Sequence, residues 1–159
     1  MKILNHTHYN VENALKESVS DYPVDDLVIE IRYCPSTSKR YASGTYYRQC
    51  KGHTDGRYIK LRLNKLNKYP ILTSFKTSNY ERKTDRKGNV TVYQKLQKVS
   101  LVDPTSLAVA LFLHEFSHYL DHMQGLNGKY KQTKADKFAI DGLARMGMLQ
   151  EIMPPKKKG

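Results

Sequence analysis

The sequence contains the stretch Leu113-His114-Glu115-Phe116-Ser117-His118-Tyr119, in which two histidines stand four residues apart with a glutamate directly after the first. On an α-helix, side chains with this spacing lie on the same face, so both imidazoles can bind one metal ion. Glu115 then lies beside the open side of the metal, where it can take a proton from water. The pattern predicts a Zn²⁺-dependent hydrolase with His114 and His118 as ligands and Glu115 as general base.

The residues around this motif predict a long buried helix. Asp103 can cap its N-terminus, and Pro104 suits the first helical position. Residues 106–113 are almost all apolar, as in a helix that is covered on every side. The glycines within residues 125–128 should end the helix near Met123. Such a helix would carry both histidines into the interior, where an unpaired imidazole is costly and a metal would satisfy it.

Positive charge is concentrated in one segment of the chain. The 159 residues carry a net charge of +12, but Arg32 to Lys98 alone holds seventeen Lys/Arg and three acidic residues, or +14. Eight of the twelve tyrosines fall in the same segment. Lysine and arginine suit phosphates and tyrosine rings suit bases, so the segment predicts DNA or RNA as a partner. A solvated basic surface with tyrosines alternating along strands explains the composition equally well.

The order of hydrophobic patterns predicts a single α+β domain over residues 1–150, followed by a disordered basic tail over 151–159. A small antiparallel or mixed sheet is expected between an N-terminal helix and the motif helix, with a long basic hairpin attached. At the hairpin tip, Arg82, Lys83, Arg86 and Lys87 are candidate nucleic-acid contacts. The predicted elements are a helix at 10–22, strands at 27–33, 42–47 and 57–63, hairpin strands at 73–81 and 90–98, and a last helix at 131–148.

A catalytic zinc needs a third protein ligand besides the two histidines. His122 continues the series, but eight residues of unbroken helix place it about 12 Å along the axis from His114. Asp136 is the favoured candidate, because it lies on a helix that returns after the glycine-containing turn. Asp141, Gln132 or a ligand from elsewhere remain alternatives.

Other roles follow from the predicted chemistry. Tyr119 and Tyr130 are candidate donors to the oxyanion that forms in peptide hydrolysis, and Asp121 could orient a ligand histidine. The N-terminus lacks the pattern of an export signal, and no apolar run approaches the roughly 20 residues that span a membrane. We therefore expect a cytoplasmic monomer that acts on a protein or peptide and has no membrane partner.

The motif helix, the glycine-containing turn and the helix with Ala135-Asp136-Lys137-Phe138-Ala139 together resemble the zincin metallopeptidases. In the gluzincin branch the second helix supplies a glutamate ligand, in patterns such as Glu-x-x-x-Asp or Glu-Phe-Phe-Ala. Residues 136–139 are similar to the latter with aspartate for glutamate, and Gln132 stands where the former has its glutamate. The resemblance implies a zinc peptidase whose third ligand departs from the usual residue.

The order of helix, strands and motif helix also resembles the SprT-like, or Spartan, group. That resemblance implies a DNA-associated protease acting on proteins bound to DNA, which suits the basic segment. This chain has Asn127-Gly128 where a His-Gly pair would supply that group's third ligand. The rival hypothesis is a nucleic-acid-binding module or regulator in which zinc is structural or absent. Glu115 separates the two, because a structural zinc site does not need it.

Overall fold

A computed structural model describes residues 1–48, 57–126 and 131–152 as an α+β fold, which confirms the predicted fold class. The predicted strands at 27–33, 42–47 and 57–63 are confirmed to within one residue at each end. The first helix is shorter than predicted, because the backbone leaves the helical conformation at Val19, where φ is −125°. The elements are β1 (Lys2–Asn5), α1 (Glu12–Ser18), β2 (Val28–Tyr33), β3 (Ala42–Tyr47), β4 (Tyr58–Leu63), β5 (Ile71–Thr84), β6 (Val90–Leu101), α2 (Pro104–Met123) and α3 (Gln132–Arg145).

Four strands form a mixed sheet in the order β1-β2-β4-β3. β2 pairs in parallel with β1 and β4, whereas β3 runs antiparallel to β4. The sequence analysis missed β1, because a strand of four residues is too short to show a periodic pattern. β3 therefore lies at the sheet edge, and none of the described strands pairs with its outer side.

The core lies between this sheet and α2. Strand residues such as Ile29, Ile31 and Ile59 are fully buried against Phe112 and Phe116 of the helix. α3 then packs on α2, and the approach at Gly142 is very close. A Cβ added at Gly142 would lie 2.2 Å from Cδ1 of Leu113. Gly142, which has no side chain, is the residue that lets the two helices touch.

β5 and β6 form a separate two-stranded antiparallel ribbon, which confirms the predicted hairpin and extends it at both ends. Its base belongs to the core, where Val99 and Leu101 are almost completely buried. An irregularity in β5 lies between Lys76 and Tyr80, and the residues beyond it are largely exposed. The outer half of the ribbon thus projects from the domain, while its base lies beside α3.

The chain after α3 returns to the ribbon. Ser100 donates its N–H to the carbonyl of Gln150 at 2.8 Å, and Ile152 donates to Lys98 at 3.0 Å. The domain boundary predicted at residue 150 therefore falls inside a segment that is hydrogen-bonded to β6. Residues 153–159 of the predicted tail lie outside the described residues. In the described part of the chain, no helix has the length and apolar character that crossing a bilayer requires.

Candidate active site

α2 carries both histidines of the motif on one face, as predicted. The helix begins at Asp103, whose carboxylate accepts a hydrogen bond from the Ser106 N–H at 2.7 Å, and it runs unbroken to Met123. The rings of His114 and His118 have centroids 5.2 Å apart and planes inclined by 79°. Both side chains are only partly buried, so the two imidazoles form an accessible pair.

Asp136 of α3 reaches the first of these histidines. Its Oδ1 lies 2.8 Å from Nδ1 of His114, and its Oδ2 accepts the backbone N–H of Lys76 at 2.7 Å. The carboxylate therefore joins three elements, which are α2, α3 and the base of the ribbon. A carboxylate on Nδ1 orients an imidazole and leaves Nε2 as the nitrogen for a metal.

The sequence predicted Asp136 as the third zinc ligand, and the structure gives this carboxylate two hydrogen-bond partners. Both oxygens of the Asp136 carboxylate accept hydrogen bonds. Oδ1 contacts the ring of His114, which is itself a predicted ligand, and Oδ2 contacts the backbone N–H of Lys76. Within the described ranges, no three side chains of His, Cys, Asp or Glu are placed to hold one metal ion. The role of Asp136 as a third ligand beside His114 and His118 stays a prediction, and in this structure its carboxylate contacts His114 at Nδ1.

Gln132 occupies the place that the sequence analysis left open. It stands at the start of α3, one turn before Asp136, and its side chain is within hydrogen-bonding reach of both His114 and His118. Its amide oxygen is a neutral donor, weaker toward a metal than a carboxylate would be. Two imidazoles and an amide are therefore the groups that converge at this site.

Glu115 points toward the sheet edge. A Cβ added at Gly44 of β3 would lie 3.1 Å from Cγ of Glu115 and 3.4 Å from its Oε1, so glycine makes room for the carboxylate. The backbone N–H of Tyr46 donates a hydrogen bond to this carboxylate. The sequence analysis missed Gly44, although a glycine inside a strand is a signal of close approach.

The three motif side chains have shifted acidities. Burial raises the pKa of the Glu115 carboxyl, while the positive charge of His114 and the Tyr46 N–H oppose that shift. Burial tends to lower the pKa of His114, but its hydrogen bond to Asp136 and nearby negative charge outweigh it and raise that pKa. Burial and the adjacent His114 charge lower the pKa of His118. Without a metal, the pair would therefore take up its first proton on His114.

His122 is held away from the histidine pair, as the helical rise predicted. Its Nδ1 lies 2.5 Å from the hydroxyl of Tyr46, one turn beyond His118. Tyr119 is buried in the core, where its ring packs against Phe116 and Tyr46. Its role as an oxyanion donor stays a prediction, and Tyr130 lies outside the described residues. Asp121 accepts a hydrogen bond from Nζ of Lys134 at 2.6 Å, and its negative charge also acts on His118, so its role in orienting a histidine stays a prediction.

Two cavities lie near the histidine pair. The first, here called the apolar pocket, has a volume of about 240 Å³ and is bounded by His114, Glu115 and Asp136 together with apolar side chains from β5, β6 and α2. The second, here called the lysine cavity, measures about 770 Å³ and lies between α3 and residues 76–79 of the ribbon. Gln132 belongs to its wall. An apolar space therefore adjoins His114 and Glu115, and a basic one adjoins Gln132.

The predicted nucleic-acid contacts lie together on the outer half of the ribbon. Arg82 and Lys83 are exposed near the end of β5, and Nζ of Lys83 lies 5.4 Å from the ring centroid of Tyr93. Arg86 and Lys87 are exposed in the connecting turn, which Asp85 stabilises by accepting the N–H groups of Lys87 and Asn89. The ribbon thus presents four cations beyond the body of the domain.

Comparison of the chain with family models, with curated proteins and with solved structures found no match.

Proposed function

We propose that the chain is a zincin-like zinc metallopeptidase with His114, Glu115 and His118 as its central residues. The observation that carries the proposal is their arrangement: two accessible imidazoles share one face of α2, while the carboxylate between them turns toward the sheet edge. A structural zinc site would need the histidines but would have no use for a half-buried carboxylate beside them.

The residues present fit a zinc ion through two imidazoles and one amide oxygen. Nε2 of His114, a ring nitrogen of His118 and the Gln132 carbonyl would hold it, and Asp136 would orient His114. When bound, zinc would supply Lewis-acid activation of water and of a peptide carbonyl. Because one of its three donors is a neutral amide, we expect the site to bind zinc more weakly than a site with three charged or imidazole ligands.

Glu115 would act as the general base. It accepts a proton from the attacking water and then delivers that proton to the leaving amine. Its raised pKa brings the carboxyl closer to neutral pH, which suits both transfers. Because Gly44 has no side chain, the carboxylate can lie close to β3, where the Tyr46 N–H donates a hydrogen bond to it.

The substrate would be a peptide or protein bound in extended form. β3 is an edge strand directly beside Glu115, and its outer side is not paired by any described strand. An extended peptide can add to such an edge through main-chain hydrogen bonds, which would bring a carbonyl close to Glu115. This arrangement favours an endopeptidase-like reaction over hydrolysis of a small molecule.

The test is a comparison of the wild type with Glu115→Gln and His114→Ala. The purified wild type should hold about one equivalent of zinc, since two helix-borne imidazoles form the centre of a single site. Glu115→Gln should retain zinc but lose peptidase activity, because the amide keeps the shape and cannot accept a proton at neutral pH. His114→Ala should lose nearly all zinc. Activity of Glu115→Gln within a few-fold of wild type would refute the general-base role.

A second function is favoured by the ribbon. Its exposed cations and nearby tyrosine ring suit DNA or RNA, so the peptidase would act on nucleic-acid-associated proteins, as in the SprT-like group. Action in the cytoplasm as a monomer is part of this proposal. A protein that binds nucleic acid, and whose Glu115→Gln variant cleaves every tested protein no differently from the wild type, would instead be a binding module.

A further inference from the structure

The lysine cavity is a basic concavity near the candidate active site. Lys76, Lys131, Lys134 and Lys137 line it, and Asp141 is the acidic residue among its walls. Its volume of about 770 Å³ falls within the range of ligand-binding pockets. Nζ of Lys134 lies 2.6 Å from Oδ1 of Asp121, which offsets its charge. The other three lysines therefore supply most of the positive charge of the cavity.

The cavity is joined to the histidine pair through two of its wall residues. Gln132 lines the cavity and reaches both imidazoles. Lys76 also lines it and donates its backbone N–H to Asp136, the carboxylate bonded to His114. The lysine cavity is therefore linked to the histidine pair through Gln132 and through the bond between Lys76 and Asp136.

The cavity that His114 and Glu115 line has a different character. The apolar pocket contains Phe75, Leu101, Leu107, Ala110 and Leu111, and its volume of about 240 Å³ suits one apolar side chain better than a segment of peptide. The two spaces thus differ in polarity, and Glu115 lines the apolar one.

We propose that the lysine cavity binds acidic side chains of the substrate, so that the preferred peptide has an acidic stretch on one side of the cleavage point and an apolar residue on the other. This inference rests on the proposed peptidase function and names its substrate class. Acidic peptide is favoured over nucleic acid in this cavity, because its ribbon wall consists of residues 76–79 and Gln97, short of the exposed cations at the tip, and its Lys76 bonds Asp136, the partner of His114.

The experiment measures binding to the inactive Glu115→Gln protein, so that cleavage does not interfere. The probes are fluorescein-labelled peptides with a central leucine and three glutamates on one side, made in both chain directions, and their counterparts with glutamine for glutamate. In one direction, we expect the glutamate peptide to bind about tenfold more tightly, the combined effect of two or three partly screened ion pairs.

Two double variants assign the effect to the cavity. Lys131→Gln with Lys137→Gln should abolish the preference for glutamate. Lys2→Gln with Lys16→Gln removes the same charge from exposed positions on β1 and α1, and should keep the preference. Circular dichroism and thermal unfolding check that both proteins are folded.

The outcomes that overturn the inference are distinct. Equal affinity for glutamate and glutamine peptides in both directions would refute it, and so would equal losses in the two double variants, which would indicate general charge attraction. If the cavity variant loses affinity for duplex DNA but keeps its peptide preference, the lysines belong to a nucleic-acid surface. Cleavage is measured separately in the wild type. An acidic preference without any cleavage would refute the proposed peptidase while supporting the cavity assignment. Cleavage without an acidic preference would support the peptidase and refute the cavity assignment.

Discussion

Replacement of Asp136 tests whether this carboxylate positions His114 or binds the metal itself. The side chain is 13% exposed and accepts two hydrogen bonds, from the ring of His114 and from the backbone of Lys76. Loss of a partner that orients a ligand histidine typically lowers metal affinity by about 10- to 100-fold, whereas loss of a ligand removes most of the binding. We therefore expect Asp136→Ala to weaken zinc binding by about 10- to 100-fold and His114→Ala to abolish it.

The same change should affect stability. Asp136→Ala leaves the Lys76 N–H without its acceptor, at a cost of about 1–3 kcal/mol in the free energy of unfolding. For a domain of this size, each 1 kcal/mol lowers Tm by roughly 2–4 °C, so a fall of roughly 2–12 °C is expected. Asp136→Asn keeps one acceptor oxygen, so its zinc affinity and its Tm should both fall between those of the wild type and of Asp136→Ala.

The assay is a zinc titration against a competing chelator, with Tm measured on the metal-free proteins. Asp141→Ala, an exposed change five residues along α3, serves as the control and should leave zinc affinity unchanged. The zinc affinity of His122→Ala should also stay within a few-fold of the wild-type value, because His122 bonds Tyr46 and lies away from the histidine pair. If Asp136→Ala removes zinc as completely as His114→Ala, the carboxylate is a ligand, and the positioning role is refuted.

Three further changes probe other parts of the molecule. Gln132→Glu should tighten zinc binding by about tenfold in the chelator titration, because a charged partner interacts more strongly than a neutral one by about that factor. Unchanged zinc affinity would show that the amide is not a ligand. Gly142→Ala should destabilise the protein in urea unfolding, because overpacking against Leu113 costs about 1–3 kcal/mol and improved helix propensity returns only about 1 kcal/mol; a more stable variant would contradict the close contact. Charge reversal at the ribbon tip should flatten the dependence of DNA affinity on salt and leave zinc content unchanged, and an unaltered salt dependence would exclude the ribbon as the contact. The tip residues changed together are Arg82, Lys83, Arg86 and Lys87.

Local features of the sequence were enough to predict most of the elements. The N-cap at Asp103, the proline after it and the apolar run determine α2, because each acts within a few residues. The same holds for the alternation in β4 and for the two strands of the ribbon. The pairing of His114 with His118 follows from helical spacing alone, and the structure confirms that the two rings share a face.

Contacts between distant segments could not be read in this way. β1 exists because β2 pairs with it, so four residues without a periodic pattern become a strand. Gly44 matters only because the fold brings Glu115 against it from 71 positions away. The sequence alone thus determined which residues have suitable chemistry, since spacing and capping are local. Only the tertiary structure decided that Asp136 meets Nδ1 of His114 while Gln132 faces both rings, because the packing of α3 on α2 and the ribbon sets which side of the imidazole each residue reaches.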